Sequence, residues 1–210
     1  MDFEIIETLA LRSGAFLNLD RHLARMQAAA LHFSRPWPGE ALARALQALG
    51  QAHAHGDWRV RLALDGAGLV HTQAVVLPPT PAPVRLELAA RPMENAVARG
   101  PWVAFKTSRR GHYEVFAPTQ AGIFDSVLYN EDGEITEATR GNLAMHLDGR
   151  WVTPPLACGL LPGVGRALAL EQGRLQEQVV LLQDVRRVQA WAFINSLRGW
   201  LSASLEPASG

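Results

Sequence analysis

The chain has 210 residues, of which 48% are hydrophobic and 19% are charged, a composition typical of a globular protein with one large domain or two small ones. Its 20 acidic and 20 basic side chains give a formal net charge of zero, which argues against a nucleic-acid-binding surface. The N-terminus lacks the basic start and apolar stretch of a signal peptide, and no apolar run is long enough to span a bilayer, so we expect a cytoplasmic protein without a membrane partner.

The first 80 residues predict a small N-terminal domain of strands and helices. Apolar residues at helical spacing predict a helix that Asp20 caps. The turn sequence Asp65-Gly66-Ala67-Gly68 predicts a β-hairpin. Prolines crowd positions 78–83 and predict a stiff connector, with a domain boundary between residues 80 and 81; the alternative is a long surface loop inside one domain. Strands are predicted at 3–11, 15–18, 58–64 and 69–77, and a further helix at 40–54.

Residues 81–210 predict a larger, strand-rich C-terminal domain. Its strands and helices do not alternate strictly, so the fold class is α+β. The glycines of Leu161-Pro162-Gly163-Val164-Gly165-Arg166 lead into a helix that ends at Gly173. Strands are predicted at 84–90, 102–106, 126–129, 134–137, 143–147, 151–153, 191–195 and 199–202, and short helices at 112–120 and near 184–188.

Lys106 is the only lysine among the 20 basic residues. It follows the apolar run Val103-Ala104-Phe105, which is typical of the end of a buried strand. Arginine cannot replace a lysine whose amine must lose its proton and attack a carbonyl, because the guanidinium stays charged. The sequence therefore favours a Schiff-base lysine, although drift of lysine codons toward arginine is the alternative.

A Schiff-base lysine that binds pyridoxal 5'-phosphate needs an acid at the ring nitrogen and a cradle for the phosphate. Glu137 ends a predicted strand and precedes small residues, so it is the candidate acid, the alternative being an exposed turn residue. Gly163 and Gly165 before a helix predict free backbone amides at the positive end of the helix dipole. Ser196 could add a hydroxyl and Arg25 a charge-assisted contact.

Cys158 and the histidines predict no further chemistry. The single cysteine excludes an internal disulfide and is interpreted as a small buried residue. His53 and His55 lie close together, but no cluster with metal-ligand spacing follows them, so no metal site is predicted.

In this order along the chain, the motifs resemble the class IV (fold type IV) pyridoxal-phosphate-dependent aminotransferases. Within that family they are most similar to the 4-amino-4-deoxychorismate lyases. The blocks that carry the resemblance are Phe3-Glu4-Ile5-Ile6-Glu7-Thr8, His22-Leu23-Ala24-Arg25-Met26, Lys106-Thr107-Ser108-Arg109, Thr136-Glu137-Ala138-Thr139-Arg140-Gly141-Asn142-Leu143, Thr153-Pro154-Pro155, Leu161-Pro162-Gly163-Val164-Gly165-Arg166 and Asn195-Ser196-Leu197-Arg198-Gly199.

The resemblance implies a D-amino acid aminotransferase-like fold of two domains, a small N-terminal α/β domain (1–80) and a C-terminal domain that contains the lysine (81–210). It implies pyridoxal 5'-phosphate as cofactor, a small-molecule amino substrate, a homodimer and a lyase reaction that yields 4-aminobenzoate and pyruvate on the folate pathway. Lys106 is the catalytic residue that it implies. The cofactor contacts that it implies are Arg25, Lys106, Glu137, Gly163, Val164, Gly165, Asn195 and Ser196.

The sequence departs from the family pattern at three places. The chain starts at the Glu-Thr strand, where relatives have a further strand and loop. Gly165 stands where relatives have threonine, and Tyr113 is two positions later than the tyrosine that some relatives place near the cofactor's ring oxygen. The alternatives to the lyase are an aminotransferase acting on branched-chain or D-amino acids, and a non-catalytic relative that functions in association.

Overall fold

A computed structural model describes residues 3–118 and 120–206. The chain divides into two compact units. The first comprises the described residues up to Thr80 together with Phe105–Arg109, and the second comprises Pro81–Ala104 and the described residues from Arg110 onward.

The first unit is an antiparallel sheet with two helices. Four strands lie in the order β2-β1-β3-β4, and residues from both faces of helix α1 and from β1 form its core. Asp65 accepts hydrogen bonds from the amides of Ala67 and Leu69, both at 2.9 Å, and this closes the predicted hairpin between β3 and β4. The elements are β1 (Ile5–Arg12), β2 (Ala15–Phe16), α1 (Leu19–His32), α2 (Gly39–Ala52), β3 (Asp57–Leu64) and β4 (Val70–Val76).

The predicted cap of α1 was displaced by two residues. Asn18, in the left-handed conformation with a φ of 55°, precedes the helix, and Asp20 lies in its first turn. A carboxylate in that turn still interacts favourably with the helix dipole, so the residue suits the helix start without capping it.

The second unit is built on an eight-stranded mixed sheet in the order β10-β9-β8-β11-β12-β5-β6-β7. Its largest core packs apolar residues of β5 to β9 and β11 together. The elements are β5 (Val84–Leu88), α3 (Asn95–Ala98), α4 (Pro101–Ala104), α5 (Gly111–Glu114), β6 (Asp125–Tyr129), β7 (Ile135–Ala138), β8 (Asn142–Leu147), β9 (Arg150–Thr153), a 3₁₀ turn (Leu156–Cys158), α6 (Val164–Glu171), β10 (Gln176–Glu177), a second 3₁₀ turn (Leu182–Arg187), β11 (Ala190–Asn195) and β12 (Gly199–Leu205).

The predicted strand at 102–106 was wrong. Pro101–Ala104 form the short helix α4, and proline is well suited to a first helical position because its missing N–H would have no partner there. The predicted helix at 112–120 is limited to Gly111–Glu114, and Pro118 disfavours helical conformation in the residue before it. Position 119 lies outside the described residues. Apart from these segments, the strand and helix pattern confirms the α+β class.

The lysine segment belongs to the first unit, whereas the sequence assigned it to the C-terminal domain. The backbone of 105–109 follows the start of β1: Ile6 donates to the carbonyl of Lys106 at 2.9 Å, and Ser108 donates to that of Glu4 at 2.8 Å. An antiparallel bridge between Ile5 and Thr107 adds to this pairing. These hydrogen bonds, which sequence separation hides, attach the segment to the N-terminal sheet.

Candidate active site

Lys106 is half-buried beside strand β1, in a segment that is fixed on both sides. Its carbonyl accepts the amide of Ile6. The preceding Phe105 stacks on His32 of α1 with ring centroids 4.3 Å apart, and Thr107 after it is only 3% exposed. Because both neighbours are anchored, the lysine side chain starts from a well-defined backbone position.

Arg25 lies on α1 in the same unit and is held by a buried acid of β1. Its Nε donates to Oε1 of Glu7 and its Nη2 donates to Oε2, both at 2.7 Å. The arginine side chain is 14% exposed, whereas the carboxylate is 1% exposed. The two charges therefore form a bidentate pair whose acidic member is in the core and whose basic member reaches its edge.

His22, one helical turn before Arg25, completes this cluster. Its Nδ1 lies 2.7 Å from Oε2 of Glu7. Burial alone would raise the pKa of Glu7, but the charge of Arg25 and the hydrogen bonds from His22 and Arg25 outweigh it and lower the pKa to about 2. The carboxylate is therefore ionised and can only accept, so Nδ1 of His22 carries the proton in this hydrogen bond.

Glu137 lies on β7 in the second unit, where it is 4% exposed. The hydroxyl of Tyr113 donates to its Oε1 at 2.6 Å, and the amide of Leu161 donates to its Oε2 at 3.2 Å. The side-chain amide of Asn142 lies 3.5 Å from the same oxygen. A carboxylate with donors on both oxygens keeps its orientation and its charge in the protein interior.

Tyr113 has a different contact from the one that the sequence suggested. The residue was proposed as a substitute for a tyrosine near the cofactor's ring oxygen, and its hydroxyl instead binds Glu137. Burial raises the pKa of Tyr113 well above its ordinary value, and the adjacent Glu137 carboxylate raises it further. The hydroxyl is thus a proton donor to Glu137 at any pH near neutrality.

The N-terminus of helix α6 forms a glycine-lined cradle in the second unit. The helix begins at Val164, directly after Gly163. A Cβ at position 163 would overlap Oδ1 of Asn142, and a Cβ at Gly165 would lie 3.0 Å from the carbonyl carbon of Asn195. The glycines thus let the first turn of α6 approach two strand ends, while its leading amides have no acceptor within the helix.

Asn195 and Ser196 lie at the end of β11, beside this turn. Oδ1 of Asn195 accepts the amide of Arg198 at 2.8 Å, which closes the turn between β11 and β12. Ser196 is half-buried in that turn. The contact between Gly165 and Asn195 shows that the end of β11 and the start of α6 are neighbours.

The structure groups the predicted site residues within each unit. Lys106 and Arg25 lie on segments that flank β1 of the first unit. In the second unit, Asn142 connects Glu137 to the glycine cradle, because its side-chain amide also donates to the carbonyl of Leu161 at 3.0 Å. The other predicted residues of the second unit are Gly163, Val164, Gly165, Asn195 and Ser196.

Sequence reasoning missed the roles of Glu7, His22 and Asn142. Glu7 did carry a signal, because it alternates with Ile5 and Leu9 on the face of β1 that enters the core. An acid at such a position requires a buried partner. The partners themselves lie 15 and 18 residues away along the chain, so no local pattern identifies them.

Cys158 is a buried residue, as its sequence context predicted. Burial, together with the nearby Glu134 carboxylate, raises the pKa of its thiol to about 12, so the reactive thiolate is scarce at neutral pH. Within residues 3–118 and 120–206, no three metal-ligating side chains cluster, and no helix has the length and hydropathy to cross a membrane.

Comparison with known proteins points to one family. The family model of amino-transferase class IV matches residues 4–205. A Schizosaccharomyces pombe protein named "Putative aminodeoxychorismate lyase" is 36% identical over 177 residues, which is 80% of this chain and 73% of the relative.

Solved structures agree on the fold. A Mesorhizobium loti protein named "Putative amino-acid aminotransferase" is 36% identical and superposes with a TM-score of 0.88 over 98% of this chain and 100% of its own. A 4-amino-4-deoxychorismate lyase from Pseudomonas aeruginosa, 21% identical, shares the fold alone, with a TM-score of 0.78 over 96% of this chain and 82% of its own. The chain therefore belongs to amino-transferase class IV and is a pyridoxal-phosphate-dependent enzyme of that family.

Proposed function

We propose that this enzyme is a 4-amino-4-deoxychorismate lyase, which converts its substrate to 4-aminobenzoate and pyruvate. The observation that carries the cofactor chemistry is the carboxylate of Glu137, which is buried and oriented by donors on both of its oxygens. The choice of the lyase reaction rests on the S. pombe relative.

The residues of each unit fit pyridoxal 5'-phosphate. Glycines at 163 and 165 leave the start of α6 without the Cβ atoms that would fill the cradle, and backbone amides at a helix N-terminus suit a phosphate. Arg25 brings a planar guanidinium that matches phosphate geometry, and the chain has one lysine, Lys106, that can form the covalent link.

When bound, the cofactor stabilises the electron pair left behind when a bond to the carbon next to the linked nitrogen breaks. We assign to Glu137 the task of holding a proton at the pyridine nitrogen. Its ionised carboxylate can keep that proton because Tyr113 and Leu161 donate to it and stabilise its charge.

Lys106 is assigned two tasks. Its amine first holds the cofactor and is then displaced by the amino group of the substrate. The freed amine takes the proton from the ring carbon that carries the substrate's amino group. The C–O bond to the enolpyruvyl group then breaks, that group leaves as enolpyruvate and takes up a proton to become pyruvate, and the remaining ring is aromatic 4-aminobenzoate.

The phosphate contacts are assigned to side chains and amides of different strength. Arg25 supplies a charge-assisted contact of about 1.5–3 kcal/mol, and the hydroxyl of Ser196 supplies about 0.5–1.5 kcal/mol. The amides of Val164 and Gly165 add the positive end of the α6 dipole.

The second candidate is an amino-acid aminotransferase, which the M. loti relative favours at the same sequence identity. Both reactions begin with removal of a proton from the carbon next to the amine, so the site residues described above serve either one. They differ in whether the substrate then loses its enolpyruvyl group or leaves its nitrogen on the enzyme.

The deciding experiment incubates the purified holoenzyme with 4-amino-4-deoxychorismate and measures 4-aminobenzoate and pyruvate, without an added keto acid. The lyase proposal predicts both products in equal amounts over many turnovers. Parallel reactions contain branched-chain or D-amino acids with a keto acid. Turnover in these reactions alone, with no 4-aminobenzoate formed, would replace the lyase by the aminotransferase.

A further inference from the structure

The buried cluster of Glu7, His22 and Arg25 has no role in the chemistry assigned above beyond the phosphate contact of Arg25. We propose that Glu7 is a positioning residue that fixes the Arg25 guanidinium for an anionic ligand, and that His22 in turn fixes Glu7. The proposal rests on the proposed function of Arg25 as a ligand of the cofactor's phosphate.

The hydrogen-bond geometry leaves one edge of the guanidinium for a ligand. Glu7 is bound by Nε and by one N–H of Nη2. The guanidinium is planar with five N–H groups in a fixed fork, so the groups that Glu7 does not use are the two on Nη1 and the second on Nη2. They lie on the opposite side from the carboxylate, and their direction is set by it.

The burial of the three side chains gives the cluster a direction. His22 and Glu7 are each 1% exposed, and Arg25 is 14% exposed. The contacts therefore run from the core of the first unit outward, with the cationic group at the accessible end. An arginine braced in this way loses less side-chain freedom when an anion binds, because its rotamer is already fixed.

A purely structural role explains this cluster less well. A buried ion pair costs solvation free energy, and well-packed apolar residues often stabilise a protein as much or more. Glu7 shares its face of β1 with Ile5 and Leu9, so an apolar residue would suit the core there. The carboxylate is best explained by the orientation that it gives to Arg25.

The test compares two ligands that differ only in the phosphate. Apo-protein is titrated with pyridoxal 5'-phosphate and, separately, with pyridoxal. Glu7→Gln keeps the size of the side chain but offers one acceptor and one donor to a cation that needs two acceptors. We expect it to weaken binding of pyridoxal 5'-phosphate by about tenfold and to leave the affinity for pyridoxal within about twofold.

A double-mutant cycle connects the effect to Arg25. Arg25→Ala should itself weaken binding of pyridoxal 5'-phosphate by about tenfold to a hundredfold. If Glu7 acts through Arg25, Glu7→Gln adds no further loss in the Arg25→Ala background. The matched control is Glu4→Gln, which removes the partner of Arg61 from a more exposed pair of the same unit and should bind both ligands like wild type.

Three results would overturn the proposal: unchanged binding by Glu7→Gln, equal loss for both ligands, or additive losses in the double mutant. Thermal unfolding of the apo-proteins shows whether each variant folds. If Glu7→Gln does not fold, Glu7→Asp replaces it, because it keeps the charge but withdraws the carboxylate by one methylene, and the same expectations apply. A wild-type protein that binds no pyridoxal 5'-phosphate would instead refute the proposed function.

Discussion

At the scale of single residues, Glu137 shows how contacts decide between two interpretations of an acid. In the sequence it could be a cofactor ligand or an exposed turn residue, and the structure places it at 4% exposure with donors on both oxygens. An exposed turn is thereby excluded. Its role at the ring nitrogen stays a prediction.

We expect Glu137→Gln to fold and to bind cofactor, but to lower kcat by roughly two orders of magnitude, about 3 kcal/mol in the barrier. The glutamine oxygen can accept from Leu161 while its amide donates to Tyr113, whose hydroxyl can also accept, so no buried group loses its partner. What is lost is the negative charge that holds a proton on the ring. Steady-state kinetics and thermal unfolding measure the two effects.

The control for this variant is Glu114→Gln, which changes an exposed acid of the same unit and should leave kcat unchanged. Wild-type turnover by Glu137→Gln would mean that the carboxylate has only a structural role. A variant that fails to fold would be explained by loss of the buried hydrogen bonds, and Tyr113→Phe, which removes one donor and keeps the charge, would then be compared in its place.

At the scale of elements, regular hydrophobic periodicity predicted most of the fold, and short segments did not follow it. The hairpin around Asp65 and the strands of the large sheet occur near their predicted positions. The run Val103-Ala104-Phe105 was too short to distinguish a strand from a helix, and it proved to be the end of α4 and a link to the next segment. Pairing of that segment with β1 depends on contacts about a hundred residues apart, which one sequence cannot reveal.

The start of α6 yields a prediction at this scale. Restoring the family's hydroxyl with Gly165→Thr should weaken binding of pyridoxal 5'-phosphate and lower stability. A Cβ there would lie 3.0 Å from the Asn195 carbonyl carbon and 3.2 Å from Cγ2 of Ile194, and both belong to β11 within the sheet. Since a sheet backbone cannot move aside cheaply, the helix start would shift away from β11.

Titration of apo-protein and thermal unfolding check this prediction against Gly111→Ala. A Cβ at Gly111 meets nothing within 4 Å, so that variant should behave like wild type. Tighter cofactor binding by Gly165→Thr would show that the hydroxyl outweighs the packing cost and that the start of α6 adapts easily.

At the scale of the whole molecule, the order of the motifs along the chain predicted the family, which the match over residues 4–205 confirms. The same order did not reveal that the catalytic lysine's segment joins the N-terminal sheet, because the segment returns there from within the second unit. The homodimer and the cytoplasmic location that the sequence suggested stay predictions. Sedimentation equilibrium of the holoenzyme would support the dimer by giving the mass of two chains.

The central claim is that Lys106 carries the cofactor, and reduction of the holoenzyme with borohydride followed by peptide mapping tests it most directly. Reduction fixes a pyridoxyl group on whichever amine holds the cofactor. Because the chain has no other lysine, the competing amine is the N-terminal one. We predict a pyridoxyl group on the peptide that contains Lys106. A label on the N-terminal amine alone, or none at all, would contradict the account.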